Sequence, residues 1–362
     1  MLKNALKDQY GRQEIEIIKS AGVNAFYGHS SIIRRYSGYS INKPLPCIIQ
    51  HGTIGFSQDF YEVREWHKKE IVSCYWAWNY KAKDEAIKSN SPLEILELGA
   101  PFLYFLKLVK QFKKWSRLTT ADHSKLRIDD ISLRLKSIIG NKDAQKKSPN
   151  LVFAPHSLPN RAITLTEHID FAEFLKSHEG LTCSVVCLHP YDVYLGNHTA
   201  YKDSGFEIVC CMDNAIDSFP WKEDDFWKEY QKVGIEYMLN LYSILKFAKH
   251  CYFVGLSTPL FYAGFLMKRC QLITFEGEAI ESRMQSIKSI ANKRPVSYND
   301  MAIFRSLNEL LHKKSWTKDN RLEFKAYCGE VLGASNLISK KSMKVLLNNR
   351  YQEIKDRETT AN

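Results

Sequence analysis

The sequence predicts an α/β protein with two Rossmann-like domains that face each other across a cleft, followed by a helical C-terminal tail. Apolar runs of four to eight residues recur along the chain with helical patterns between them, and most end in small or polar residues. That pattern is typical of buried parallel strands in α/β units. The series occurs twice, and 362 residues suffice for two domains of about 100–200 residues each.

The first series predicts an N-terminal domain over residues 1–118. It opens with a helical pattern over 13–20 and closes with an amphipathic helix over 102–118. The strand-like runs between them are 23–27, 46–50, 71–78 and 95–98. Residues 119–149 are polar, basic and turn-prone, and are predicted to form a linker.

The second series predicts a C-terminal Rossmann-like domain over 150–297, before a helical, basic tail over 298–362. Its predicted helices cover 166–177, with Thr166 as the N-cap, and 227–247. A third helix is expected to open at Ser257-Thr258. The strand-like runs are 151–154, 183–188, 206–212, 252–254 and 270–275.

Composition excludes some classes of protein. With 44% hydrophobic and 12% aromatic residues, the chain is not disordered throughout. The net charge of +11 is concentrated in two segments: 101–150 holds 12 basic and 4 acidic residues, and 311–362 holds 11 and 6. This favours contact with an anionic surface over a nucleic-acid clamp, since no nucleic-acid-binding motif accompanies it.

The sequence has nine cysteines, an odd number, and several of them lie inside apolar runs. None has the spacing of a zinc site. We expect buried free thiols in a reducing compartment, and no signal peptide. The longest apolar run, 251–267, has Gly255, Ser257, Thr258 and Pro259 within it. It reads as a strand, a turn and a helix and not as a membrane span.

The tripeptide Gln50-His51-Gly52 directly follows a strand-like run. Imidazole titrates near neutrality, so a histidine exposed at a strand end can act as general base or acid. Asp59, nearby in sequence, could orient His51 or serve as the catalytic carboxylate. The alternative is an ordinary turn, with Asp59 solvated at a helix start.

Two further motifs follow strands of the second series. His189-Pro190 follows the run ending at 188, where the histidine can donate a hydrogen bond to a phosphate. Asp192, just beyond, is expected to be a simple helix cap. His156-Ser157 follows the run 151–154 and is a candidate for the nucleotide pocket or for an ordinary loop.

Ser257 and Thr258 stand where a strand passes into a helix. Their hydroxyls and the first backbone N–H groups of a helix can bind phosphate, with help from the helix dipole. Glu276, after the last strand-like run, could hold a ribose or sugar hydroxyl, or be a solvated loop acid. There is no DxD pair, P-loop or GxGxxG, so no metal and no dinucleotide is expected.

The helix 102–118 places lysines among Phe105, Phe112 and Trp115. That mixture suits an anionic membrane interface, and with the basic tail it predicts peripheral attachment to the inner face of the cytoplasmic membrane. The alternative is a helix that docks on its own domain.

These motifs resemble those of GT-B-type glycosyltransferases of bacterial surface polysaccharides. His189-Pro190 and Ser257-Thr258 look like the donor-binding motifs of bacterial sialyltransferases and Kdo transferases, which use CMP-activated acidic sugars. The resemblance implies that His189, Ser257 and Thr258 contact the phosphate of CMP. The acidic pair followed by glycine that usually supplies the base in sialyltransferases is missing, and His51 occupies a comparable strand-end position.

The resemblance implies a metal-independent glycosyltransferase that needs no cofactor beyond its CMP-sugar donor. It would transfer an ulosonic sugar of the Kdo, sialic or legionaminic acid type. The acceptor, bound by the N-terminal domain, would be a glycan or lipid-linked glycan of a lipopolysaccharide or capsule. Three alternatives stay open. The first is a transferase of glycerol phosphate or another alditol phosphate from a CDP-linked donor, since His51-Gly52 is similar to the HG motif of CDP-glycerol glycerophosphotransferases. The second is a glycosyltransferase that uses a UDP- or GDP-hexose. The third is a non-catalytic scaffold at the membrane.

Overall fold

The computed structural model describes residues 29–50, 73–80, 93–116, 150–157, 163–273 and 307–360, with short gaps inside these ranges, and residues 83, 84, 87 and 287. The predicted helix at 13–20, strand at 23–27 and linker at 119–149 lie outside the described residues.

In the described part of the chain, the first sheet has three parallel strands in the order β1-β2-β3. They are β1 (Cys47–Ile49), β2 (Cys74–Ala77) and β3 (Glu94–Glu97), all within predicted runs or shifted from them by one residue. Helix α1 (His29–Ser37) comes before β1, and helix α2 (Pro101–Ser116) follows β3. Strands β1 and β2 are buried throughout, as continuous apolar runs predict.

Five parallel strands of the second sheet are described, in the order β6-β5-β4-β7-β8. The strands are β4 (Asn150–Phe153), β5 (Val185–Leu188), β6 (Glu207–Cys210), β7 (His250–Phe253) and β8 (Arg269–Leu272). This order matches the 3-2-1-4-5 part of the Rossmann arrangement. The prediction of a mixed α/β fold with parallel sheets is confirmed, and the strand order is compatible with a Rossmann-like fold.

Five helices are described between the strands of the second sheet. They are α3 (Leu165–Ser177), α4 (Pro190–Tyr194), α5 (His198–Asp203), α6 (Gly234–Phe247) and α7 (Thr258–Phe265). Successive residues of a strand point to opposite faces of the sheet, so neighbouring residues show whether each face is covered. Leu151 lies in one apolar cluster and Val152 in the other, so both faces of the sheet are covered.

The N-cap of α3 is Thr164, so the prediction of Thr166 was wrong. The Thr164 side chain accepts a hydrogen bond from the backbone N–H of Glu167, and the Glu167 carboxylate accepts one from the N–H of Thr164. This reciprocal capping box needs an acidic or amide side chain three residues after the cap. Thr166 has Ile169 at that spacing, which cannot accept the bond.

From residue 318 to 360, the C-terminal segment, the structure describes two helices, α8 (Lys318–Val331) and α9 (Lys340–Thr360), joined through a short 3₁₀ turn. Helix α8 packs against α7, and α9 packs against α1. One apolar core therefore includes Trp76 of the first sheet, Cys251 of the second and Leu332 of the C-terminal segment. The lysines at the start of α9 are exposed, while Met343 and Leu347 are buried.

The turn between α8 and α9 fits closely against the first sheet. Gly333 has a φ of +66°, and a Cβ atom there would collide with the carbonyl oxygen of Trp78. The same Cβ would come within 3.0 Å of the Cα of Gly99. Only glycine combines this backbone conformation with so close an approach.

The cysteines agree with the expectation of buried free thiols. Every cysteine in the described part of the chain is free of a disulfide, and all of them except Cys210 are buried.

Candidate functional site

Three adjacent strands of the second sheet end in predicted site residues. His156 and Ser157 follow β4, His189 follows β5, and Ser257 and Thr258 follow β7. The strands are parallel, and Phe153 of β4 is level with Cys187 of β5 and Phe253 of β7. Since the carboxyl ends of parallel strands share one edge, the fold brings the three predicted motifs to the same edge of the sheet.

This edge is also the place where the chain reverses its direction across the sheet. From β4 the chain adds β5 and β6 on one side, then crosses back to add β7 and β8 on the other side of β4. Such a topological switch point opens a crevice beyond the strand ends, where α/β proteins bind ligands. His156 and Ser257 follow the two strands that flank it, so we treat this edge as the candidate site.

His156 and His189 lie close together at the edge. Their ring centroids are 5.1 Å apart, with planes inclined by 30°. Both residues are half-buried. His189 is the N-cap of α4, and its Nδ1 accepts a hydrogen bond of 3.2 Å from the backbone N–H of Tyr191. Because Nδ1 is the acceptor, the neutral ring carries its proton on Nε2.

Pro190 explains why the histidine is held in this way. It occupies the first turn of α4, where a missing N–H costs no helical hydrogen bond and the fixed φ suits the helix. Pro190 itself is buried. Its predicted contact with a nucleotide stays a prediction.

Asp192 is a central residue of the site, and the expectation of a simple cap was wrong. Its side chain is fully buried. The two carboxylate oxygens each lie 3.2 Å from the backbone nitrogen of Ser157, which donates to them. Asn197 Nδ2 donates to Oδ1 at 3.1 Å, and His168 Nε2 lies 3.4 Å from the same oxygen.

Behind Asp192, the network continues into the protein. His168 Nδ1 is 2.8 Å from the hydroxyl of Tyr201, and both residues are fully buried. Tyr201, His168, Asp192 and the Ser157 backbone thus form one connected polar chain inside an apolar cluster. Sequence reasoning missed His168 and Tyr201, because each stands within an otherwise ordinary helical pattern.

The electrostatics of the site follow from this burial. Burial by itself would raise the pKa of Asp192, but its interaction with His168, and with the nearby imidazoles of His189 and His156, lowers it below the ordinary value. Burial lowers the pKa of His156, and the charge of Asp192 opposes that effect. At neutral pH the site therefore holds a buried carboxylate beneath a neutral His156.

The hydroxyl of Ser157 already has a partner in the chain. Ser157 is buried, and its Oγ accepts a hydrogen bond of 2.9 Å from the backbone N–H of Ile163. Its N–H is bound to Asp192. Ser157 therefore closes the loop after β4, and its predicted contact with a nucleotide stays a prediction.

Ser257 and Thr258 open a helix, as predicted. Ser257 is the N-cap of α7, and its side chain makes no capping hydrogen bond. Both residues are half-buried. The positive end of the α7 dipole thus lies at the same sheet edge as the two histidines.

The remaining predicted site residues, His51, Asp59 and Glu276, lie outside the described residues. The chain is described as far as Gln50, which is buried and whose Oε1 accepts a hydrogen bond of 2.7 Å from the backbone N–H of Trp78. No cluster of three potential metal ligands occurs in the described part of the chain.

Helix α2 uses its aromatic residues for internal packing. Phe105 is buried against Tyr242, which supports the alternative that this face of the helix docks on its own protein. Phe102 stacks on Tyr262 of α7 at a centroid distance of 4.0 Å. The inner face of α2 therefore joins the first sheet unit to the second, while Lys110 stays exposed. Among the helices described, none is long and apolar enough to cross a membrane.

Comparisons with known proteins add little to this site. No protein-family model matches the chain, and no curated protein matches its sequence. Among solved structures, the N-terminal domain of trehalose-6-phosphate phosphatase from Candida albicans is similar, with a TM-score of 0.36 and 9% sequence identity. The match covers 84% of this chain and 64% of that one, and a likeness of this size carries no conclusion about function. The resemblance to glycosyltransferases stays a prediction.

Proposed function

We propose that this protein is a metal-independent glycosyltransferase whose donor is a sugar linked to a nucleotide phosphate. The observation that carries the proposal is the meeting of His156, His189 and the start of α7 at one switch-point edge. Imidazole N–H groups, hydroxyls and a helix N-terminus are the donors that a phosphate needs. Two Rossmann-like domains facing across a cleft, as in the GT-B fold, would bring the acceptor to this edge.

The donor we propose is a CMP-linked ulosonic acid of the Kdo, sialic or legionaminic acid type. In such a donor the leaving group departs as a phosphate monoester, which is already an anion. Hydrogen-bond donors that stabilise the charge of the leaving phosphate are then sufficient for its departure, without a strong acid or a metal. His189 Nε2–H, the Ser257 hydroxyl and the first turn of α7 would supply this stabilisation. The sugar would pass through an oxocarbenium-like state as its bond to the phosphate oxygen breaks.

The acceptor side of the reaction would be served by residues that follow β1 in the sequence. We propose that His51, with Asp59, takes the proton of the attacking acceptor hydroxyl, and that Glu276 holds a sugar or ribose hydroxyl on the donor. The acceptor would be a bacterial surface glycan or its lipid-linked precursor.

We also propose a peripheral position on the inner face of the cytoplasmic membrane. The exposed lysines Lys340, Lys341 and Lys344 on α9 and Lys110 on α2 support contact with anionic lipid. Co-sedimentation with vesicles should rise with the anionic lipid fraction and fall with salt. Binding that ignores lipid charge would refute this part.

The donor is tested by thermal melting of the whole protein with CMP, CDP, UMP, UDP and GDP. We expect CMP to give the largest stabilisation, and His189→Ala and Ser257→Ala to remove it. His178→Ala is the matched control: His178 is exposed and ends α3 before β5 begins, at the opposite edge of the sheet. It should respond to CMP like the wild type.

The other outcomes each point elsewhere. Stabilisation by CDP alone would favour an alditol-phosphate transferase, and by UDP or GDP a hexose transferase. If no nucleotide stabilised the protein, and His51→Ala and His189→Ala kept full biological function, the enzyme proposal would fail in favour of a scaffold.

A further inference from the structure

The loop after β4 and the first turn of α4 are tied together by one buried side chain. Asp192 on α4 accepts the backbone N–H of Ser157 with both oxygens. Ser157 directly follows His156, and Asp192 lies three residues after His189. The carboxylate therefore fastens the two segments that carry the histidine pair.

We propose that Asp192 is the positioning residue of the His156–His189 pair, and that its charge lets the pair take up a proton when an anion binds at the strand ends. The proposal deepens the function proposed above and rests on it for the identity of the anion, the donor phosphate.

The partners of Asp192 explain why it would position the pair. An aspartate accepts with both oxygens, whereas an asparagine accepts with one and must find an acceptor for its amide N–H₂. Around Asp192 stand the Ser157 N–H and the Asn197 amide, both donors. A buried asparagine here would leave a donor facing a donor, which costs free energy and lets the segments separate.

The described titratable groups that interact electrostatically with Asp192 are His156, His189, His168 on α3, Tyr201 on α5 and Cys210 at the end of β6. Burial raises the pKa of Tyr201 and of Cys210, so neither carries charge at neutral pH. Among these described groups, Asp192 carries the charge at neutral pH, and a proton taken up on anion binding would go to an imidazole of the pair.

The empty and the occupied site would differ in protonation. Without an anion, burial keeps His156 neutral at pH 7 despite Asp192. A dianion bound by the pair would add a second negative charge near imidazoles that already interact with the charge of Asp192. Two negative groups near an imidazole favour its charged form. Binding of the anion would thus be accompanied by uptake of a proton.

Sulfate is the probe for the first experiment, because it stays a dianion throughout the pH range in which imidazole titrates. Binding to the whole protein is followed by NMR of the histidine rings and by calorimetry in two buffers of different ionisation enthalpy. We expect proton uptake on binding, with an affinity that rises by up to about tenfold for each pH unit lowered, the limit for one proton. The His156 or His189 resonance should report the protonation.

The variant Asp192→Asn should bind sulfate more weakly, lose most of this pH dependence, and show a lower pKa for His156 without ligand. Asp192→Glu keeps the charge and should restore part of the pH dependence. Asp203→Asn is the control, because it removes the same charge from an exposed position on α5. It should behave like the wild type.

Several outcomes would overturn the proposal. They are sulfate binding to the wild type without proton uptake, no response of either ring to sulfate at any pH, or uptake by His168 alone. A folded Asp192→Asn protein with unchanged ring titrations would do the same. The wild-type measurements can overturn the proposal even if the variants do not fold.

CMP separates this proposal from the function on which it rests. Proton-linked sulfate binding without any CMP binding would support the role of Asp192 and count against the nucleotide donor. CMP binding without proton uptake would support the donor and refute the role of Asp192.

Discussion

Asn79, beyond the end of β2, donates a hydrogen bond of 2.6 Å from its Nδ2 to the carbonyl oxygen of Val331, the last residue of α8. The two residues are 252 positions apart, and both are buried. Carbonyl groups in the last turn of a helix have no partner within the helix, so an outside donor satisfies this one. The bond attaches the C-terminal segment to the first sheet.

Replacement of Asn79 by alanine should destabilise the protein. It leaves a buried carbonyl without this donor, which costs about 1–3 kcal/mol. The free energy of unfolding in urea measures the loss, and the exposed Asn349→Ala on α9 is the control. A change below the error of the measurement would show that water replaces the side chain.

Gly333→Ala should be more damaging, for a steric reason. The new Cβ would collide with the Trp78 carbonyl, so the turn between α8 and α9 must move away from the first sheet. Gly205→Ala isolates the backbone contribution: Gly205 also has a positive φ, +83°, but nothing lies within 4 Å of the position of its Cβ. The control should lose about 1–2 kcal/mol from backbone conformation alone.

Thermal or urea unfolding should therefore rank wild type, Gly205→Ala and Gly333→Ala in falling order of stability. Equal losses for the two variants would mean that the contact with Trp78 adds nothing beyond the backbone conformation.

Stability should fall as the pH drops below about 6.5. Burial is the main cause of the lowered pKa values of His156, His198 and His250, whose ordinary value is 6.5. Between the folded and unfolded pKa values the unfolded chain binds more protons, so the free energy of unfolding rises with pH across that window. Above about pH 6.5 these groups add no further slope.

Urea unfolding at steps from about pH 5 to about pH 8 tests this expectation, since the window brackets ordinary imidazole titration. The replacement His250→Gln should reduce the slope below pH 6.5. A free energy of unfolding that is flat across that range would contradict the burial argument for all three residues.

The ion pair between Arg350 and Glu94 should contribute little. Arg350 Nη2 lies 2.6 Å from Glu94 Oε2 and joins α9 to β3, but 53% of the Glu94 side chain is exposed. Exposed pairs are screened by solvent, so a double-mutant cycle with Arg350→Met and Glu94→Gln should give a coupling below about 1 kcal/mol. A larger coupling would show that the pair, and not only the apolar face of α9, holds the helix in place.

The sequence predicted the elements that local pattern determines. The strand ends carrying His156, His189 and Ser257 were identified because short apolar runs that end in polar residues mark parallel strands. Their meeting at one edge follows from the parallel arrangement and did not require knowledge of side-chain contacts.

Features that depend on distant residues could not be predicted. Asp192 looked like a cap, since its partner Ser157 is 35 positions away and His168 lies on another helix. The sequence left open whether Phe105 packs inside the protein or faces a membrane, because its contact with Tyr242 joins segments distant in sequence. Thr166 was preferred to Thr164 although the capping box with Glu167 was readable locally.

The attachment of the C-terminal segment has a consequence for the order of events during synthesis. Tyr36 donates a hydrogen bond to the carbonyl oxygen of Ile338, a partner 302 positions later. Asn79 donates one to the carbonyl oxygen of Val331, 252 positions later. Contacts of such sequence separation form slowly. The first sheet leaves the ribosome before α8 and α9, so its core cannot be complete until those two helices are made. Until then its apolar surface is open to chaperones or to aggregation, and a premature stop before residue 318 would leave it so permanently.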